Sequence, residues 1–313
     1  MNVDCDFIVG PRTVLERDSP LFPEALKTVP RAPRILHVLG DPSALREGLA
    51  VVGARKATPY GIGCARRFAG MAARKGVAVI SGGARGCDAA AHEAALAEKG
   101  VTVAFLGGGC DCIYPPEHRG LFQRIVDGGG ALVSEQPWSM PPLPYMFRER
   151  NRLIAGLAKA TLIVEAGLPS GTFSTADEAL SANRDVWAVP GAITAKTSSG
   201  ANRLIRQGAV PIVDDDSFED ELFALFGCLK TPPAPSFEEG MAGCLQASPG
   251  ARELVAMVRS QPMGLDALLE HGRRLHPGAD ARSWLFAQLA QAEVAGLIRK
   301  FPDGTYGPTG EAA

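Results

Sequence analysis

Leu49-Ala50-Val51-Val52-Gly53-Ala54-Arg55-Lys56-Ala57-Thr58-Pro59-Tyr60-Gly61 is a short apolar run that ends at a glycine, passes two cations and opens a helix. A run without polar alternation suits a strand buried on both faces of a parallel sheet. Thr58 offers an N-cap acceptor and Pro59 fits the first helical position, so this stretch predicts a strand turning directly into a helix. Outward from it, from Arg34 onward, further apolar runs at 77–80, 101–106, 131–133, 162–164 and 186–189 alternate with Ala-rich helical stretches such as 89–98 and 172–182. The repeating strand-helix-strand unit predicts an α/β fold, an extended Rossmann-like doubly wound sheet with mostly parallel strands. A closed eight-stranded α/β barrel is less economical, since about 250 residues is typical for it.

Residues 1–30 read as an N-terminal extension, 31–228 as the Rossmann-like domain, and the Pro-rich, Gly-rich stretch 229–249 as a linker. In 250–313, leucines at helical spacing precede a hairpin signal at Asp303-Gly304, which predicts three helices and a hairpin, a small winged helix. Charge separates these parts. Residues 53–212 hold eighteen Lys and Arg against twelve Asp and Glu, a net +6, whereas 213–313 hold eight against fifteen, a net -7. Affinity for a polyanion therefore belongs to the middle of the chain, and the acidic C-terminal part reads as a partner or self-association module. The seven scattered cysteines and the absence of an apolar leader or long apolar span predict a reduced, cytoplasmic setting with no membrane role.

Four loops that follow strands combine small residues with cations. In the first, Gly53, Ala54, Arg55, Lys56 and Thr58 bring positive charge to a helix start, where free N–H groups favour an anion. The second, Ser81-Gly82-Gly83-Ala84-Arg85-Gly86, allows close backbone approach and adds Arg85. A third element, Phe147-Arg148-Glu149-Arg150-Asn151-Arg152, sets three arginines beside an aromatic able to stack on any base. On a helix Arg148 and Arg152 share a face and Arg150 points elsewhere, so at least one arginine is expected to brace the fold through a carboxylate. The fourth, Ser170-Gly171-Thr172, offers small donors at another helix start. In an open parallel sheet these loops gather at the strands' carboxyl ends, where ligands of this architecture bind.

Neither the dinucleotide fingerprint nor a Walker A lysine occurs, so no nucleotide cofactor is expected. Cys110, Cys112 and His118 lack a fourth ligand and zinc spacing. His92-Glu93 has no second histidine, and Ser170 lacks the nucleophile-elbow pattern. His92 is expected to buttress the loops.

Taken together, Gly53-Ala54-Arg55 with Thr58 and Gly61, Ser81-Gly82 with Asp88-Ala89-Ala90-Ala91-His92, Ala104-Phe105-Leu106-Gly107 with Tyr114-Pro115, Arg150-Asn151-Arg152, Ser170-Gly171-Thr172 and Ala188-Val189-Pro190-Gly191 closely resemble the DprA/Smf family of DNA-processing proteins. The resemblance spans roughly residues 20–215. It implies a non-enzymatic protein that dimerises through the later half of its Rossmann domain and binds single-stranded DNA in a basic pocket. It also implies displacement of single-strand-binding protein and loading of RecA during natural transformation. Arg55 matches the arginine of the family's Gly-Ser-Arg loop and Phe147 a stacking aromatic. Ala54 departs from the usual Ser, Cys87 from an aliphatic residue and Arg148 from a common Pro. The helical module that many members carry ahead of the core does not fit in about 30 residues. The alternative is a nucleotide phosphoribohydrolase of the lysine-decarboxylase-like (LOG) group, whose signature would require a carboxylate where Thr175 stands, although Asp177 and Glu178 lie nearby.

Overall fold

Every residue of β3 (Gly48–Val52) is buried, as a strand covered on both faces must be. Leu49 and Val51 face one core layer with α2 (Pro59–Arg74), α3 (Cys87–Ala97) and α8 (Asp215–Phe226). Ala50 and Val52 face the other, with α5 (Pro144–Leu157), α6 (Thr172–Ser181) and α7 (Ser199–Arg206). The computed structural model describes residues 7–168, 171–228, 249–278, 280–294, 297–301 and 304–308.

Beside β3 run β4 (Val79–Ser81), β5 (Thr102–Phe105) and β6 (Ala131–Ser134) on one side, and β7 (Ala158–Ile163), β8 (Asp185–Ala188) and β9 (Val210–Pro211) on the other, all parallel. The expected doubly wound α/β sheet is therefore present. Its winding reverses between β3 and β7, which pair directly from Gly48↔Ala158 to Val52↔Ile163. The carboxyl ends of these two strands flank the crevice in which open α/β sheets bind ligands.

Two antiparallel strands, β1 (Arg12–Glu16) and β2 (Ile35–Gly40), extend the sheet beyond β6 to nine strands. The described part of the expected 1–30 extension therefore contributes to the sheet and its core. Leu15, Phe22, Leu26 and Val29 enter the main core, with α1 (Glu24–Lys27) packed on α5. At the sheet's edge β1 buries only Leu15, so its sequence carries almost no apolar signal.

The chain divides into two compact units, Met1–Lys230 and Thr231–Ala313. Most of the expected linker, 229–248, lies outside the described residues, and Pro249 already opens a helix. The second unit holds helices Pro249–Ser260, Leu265–Leu275 and Ala281–Val294 and a two-stranded antiparallel hairpin, Ile298–Lys300 with Tyr306–Pro308. A core of Leu254, Val258, Leu268, Leu285, Leu289 and Ile298 holds it together. Among the described residues no helix is long and apolar enough to cross a membrane.

Candidate nucleic-acid interface

At the β3/β7 reversal lies a cleft of about 630 Å³. Its walls bring together the loop after β3 (Gly53, Ala54, Arg55), the loop after β4 (Ala84), the first turns of α5 (Phe147, Arg148, Arg150, Asn151) and the start of α6 (Gly171, Thr172). Segments from four different strand ends thus converge on one site. Ser170 lies outside the described residues.

The two loops nearest the centre are locked to each other. The Cys87 amide donates to Ala54 O at 3.3 Å, and Gly86 adopts φ +79°, where a Cβ would collide with the Ala54 carbonyl. A Cβ at Gly53 would lie 2.6 Å from Cys87 Sγ, so only glycine admits the buried thiol beneath the first loop. Burial pushes that thiol up to about 12, which keeps it neutral and a packing group.

Carboxylates of the protein itself already fill two of the expected anion seats. Glu165 Oε2 accepts the Thr58 amide at 2.8 Å and Oε1 accepts the Thr58 hydroxyl at 3.0 Å, while Thr58 Oγ1 accepts the Gly61 amide at 3.2 Å. Thr58 is thus an N-cap held by a buried carboxylate at the α2 N-terminus rather than a free phosphate donor. In the second loop, Asp88 Oδ2 accepts the Gly82 amide at 3.1 Å and the Ala84 amide at 3.3 Å. The Gly82 amide, expected to face the ligand, points inward to this carboxylate. Gly83 adopts φ +65° and packs where a Cβ would meet the Phe122 ring, and its carbonyl contacts His118 Nδ1 at 2.9 Å.

The arginine-rich run separates in the same way. Arg150, 6% exposed, donates to Gly82 O at 2.7 Å and to Phe105 O, and sits beside Asp88. Burial lowers it to about 10, opposed by the attraction of Asp88, so it remains charged at neutral pH. Arg152, 7% exposed, donates to both oxygens of Glu135 at 2.6 and 2.7 Å and does not line the cleft. Arg152 is thus taken up by a carboxylate away from the cleft, as was expected of at least one of the three arginines, whereas Arg150 lines the cleft with its guanidinium held by backbone carbonyls. Arg148 is exposed and lines the cleft. Exposure along α5 is set by depth, not by helical face. Its first turns reach solvent, whereas 152–157 are buried all round.

Arg55, also exposed, holds its guanidinium 5.4 Å from the centre of the Phe147 ring. On the same ring, 5.4 Å between centroids, lies Tyr114, 43% exposed toward the cleft it lines. No site role was expected for Tyr114. Its signal was available, because it follows β5 and so falls at the same strand ends. Arg85 pairs with exposed Glu117, and neither it nor Lys56 lines the cleft. Asn151 lines it while donating to Ser174 Oγ at 2.7 Å, which ties α5 to α6.

Gly171 caps α6, and a Cβ there would meet nothing within 4 Å, so this helix start opens toward the cleft. Open positive character therefore comes from Arg55, Arg148 and the α6 N-terminus, with Phe147 and Tyr114 as apolar surfaces between them. Asp88, the one carboxylate among the lining residues, is committed to the second loop. Thr175 lines the cleft where the phosphoribohydrolase signature needs an acid, and Glu178 pairs with Arg31 at 2.8 Å instead. Cys110, Cys112 and His118 have separate partners: Cys110 faces the His37 and Leu132 carbonyls, Cys112 faces Ser139 O and His118 faces Gly83 O. His92 bonds Thr102 at 2.7 Å, and burial lowers it to about 3.

A Rossmann-like sheet with a cationic, aromatic-lined cleft at its winding reversal is the class of anion-binding protein that these features define. Within that class, the family model described as DNA recombination-mediator protein A matches residues 13–222, and the chain belongs to that family. Protein Smf of Escherichia coli is 37% identical over 292 residues, covering 93% of this chain and 76% of its own. The putative DNA processing protein DprA of Mycobacterium tuberculosis is 46% identical over 182 residues, 57% of this chain and 46% of that protein. Among solved structures, DNA processing protein A of Streptococcus pneumoniae aligns with TM-score 0.63 at 31% identity, over 67% of this chain and 74% of that one. That of Helicobacter pylori, described for its single-stranded DNA binding mode, aligns with TM-score 0.62 at 28% identity over 70% and 98%.

Proposed function

We propose that the chain binds single-stranded DNA in the β3/β7 cleft without marked sequence preference and passes it to a recombinase. The observation that carries this reading is the pairing of two exposed arginines, Arg55 and Arg148, with the Phe147 and Tyr114 rings at one open cleft. Arginines meet phosphates, and rings stack on bases of any identity, which together suit an unpaired strand. A duplex hides its bases and gives the rings nothing to stack on. Family membership and the binding mode described for the Helicobacter pylori relative support the same ligand.

The finer reading follows from the resemblance to the DprA/Smf family. The protein acts without catalysis in natural transformation, displaces single-strand-binding protein, loads RecA and works as a homodimer through the later half of its Rossmann domain. The second unit, net acidic, serves as a winged helix for partner contact rather than DNA reading. Fluorescence anisotropy of labelled oligo-dT at two salt concentrations tests the ligand and the site together. Tight binding that weakens steeply with salt and flattens in Arg55→Ala supports the reading. Salt-insensitive affinity, or an Arg55→Ala protein identical to the parent, overturns it.

A further inference from the structure

The loop between β8 and α7, residues 191–198, sits at the carboxyl end of the sheet next to the cleft and was assigned no role by its sequence. It is anchored at both ends. Asn202 accepts the Gly191 amide at 3.1 Å and donates to Gly191 O at 2.9 Å, and the Tyr60 hydroxyl donates to Pro190 O at 2.7 Å. At the far end Ser198 is buried, Ser199 Oγ donates to Lys196 O at 2.7 Å, and the Gly200 amide donates to Ala166 O at 2.7 Å. The last bond joins the loop to the segment after β7 that forms the cleft wall. Contact there is close: a Cβ at Gly167, a lining residue, would lie 3.3 Å from Lys196 O, and one at Gly200 would lie 2.8 Å from Gly167 O.

A loop fixed so firmly nonetheless presents apolar and cationic groups to solvent. Ile193 is 95% exposed, and exposed Lys196 forms no ion pair among the described residues. Lys196 thus brings an exposed cation to a loop whose backbone lies against Gly167, a residue of the cleft wall. From this juxtaposition we propose that residues 191–198 form a second wall of the DNA groove. Lys196 takes a backbone phosphate of the strand as it leaves the cleft, and Ile193 packs against the neighbouring sugar or base. The path runs from Arg55 and Phe147 past Gly171 to Lys196, so the contact requires a strand longer than the cleft alone holds. This inference rests on the proposed single-strand function and extends the same site.

The test uses the full chain and oligo-dT of increasing length, with affinity read at several salt concentrations. Lys196→Gln should reduce the log–log salt slope by about 0.7, as loss of one single-strand phosphate contact does, and only for the longer oligonucleotides. Lys196→Arg should restore the slope, and Ile193→Ala should weaken long oligonucleotides with the slope unchanged. Both side chains are exposed, so the variants should fold as the parent does. If Arg55→Ala flattens the slope while Lys196→Gln matches the parent at every length, the second wall is refuted and the cleft reading stands. If neither variant differs from the parent, the cleft reading fails as well. A Lys196→Gln or Ile193→Ala protein with unchanged DNA affinity but a smaller sedimentation coefficient would overturn the proposal in favour of a contact with a second copy.

Discussion

Arg148 and Arg150 are two residues apart on one helix, the first exposed and the second buried, so the proposed function gives them opposite work. Replacing Arg150 by Met leaves the Gly82 and Phe105 carbonyls without this donor and buried Asp88 without its neighbouring countercharge. Removing one member of a buried charged network costs about 3–5 kcal/mol. For a domain of this size each kcal/mol corresponds to about 2–4 °C in Tm, so Arg150→Met should melt roughly 6–20 °C lower. Arg148→Ala removes an exposed side chain and should leave Tm within about 2 °C. DNA binding should invert the ranking. Arg148→Ala reduces the salt slope by about 0.7, while Arg152→Gln, whose parent guanidinium belongs to Glu135, keeps the parental slope. Thermal unfolding followed by circular dichroism, together with anisotropy over a salt series, reads both quantities. An Arg150→Met protein with parental Tm and a flattened slope, beside an Arg148→Ala protein with parental slope, would refute this division of labour.

Phe147→Ala should cost about 1–3 kcal/mol of single-strand affinity with the slope nearly unchanged, and Tyr114→Ala should act in the same direction, both measurable by anisotropy. Gly86→Ala places a side chain at φ +79° against the Ala54 carbonyl and should both destabilise the protein and weaken DNA binding, as seen by melting and titration. Buried His92 has its folded-state value lowered to about 3, below the usual 6.5, so the unfolded chain takes up its proton first as the medium acidifies. Its contribution is neutral above about pH 6.5 and becomes destabilising as pH falls toward 3, at up to about 1.4 kcal/mol per pH unit. Urea unfolding of His92→Gln should show a shallower loss of stability than the parent between pH 6 and pH 4.

The parallel strands and the convergence of their loops were legible because burial on both faces leaves continuous apolar runs such as 49–52. β1 was not, since an edge strand with one buried residue reads like a polar segment. Phe147 and Arg148 were recognisable together from local sequence, and Arg55 joined them only through the expected convergence of the loops at the strand ends. Which arginines stay free depends on how deeply α5 is sunk in the core, and that is a property of the packing around it. The most consequential omission concerned Glu165 and Asp88. Loop sequences that look ready for phosphate are satisfied by carboxylates, one of them brought from 107 residues away, and no local pattern announces such a partner. Tyr114 entered only as part of the family resemblance and without a site role, although its place after β5 was visible.

Photo-cross-linking of a 4-thiothymidine oligonucleotide, followed by mass spectrometry of the linked peptides, tests the central claim most directly. The account predicts adducts on Phe147 and Tyr114, abolished by excess unlabelled oligo-dT. Adducts confined to the second unit, with none on residues 52–175, would contradict it.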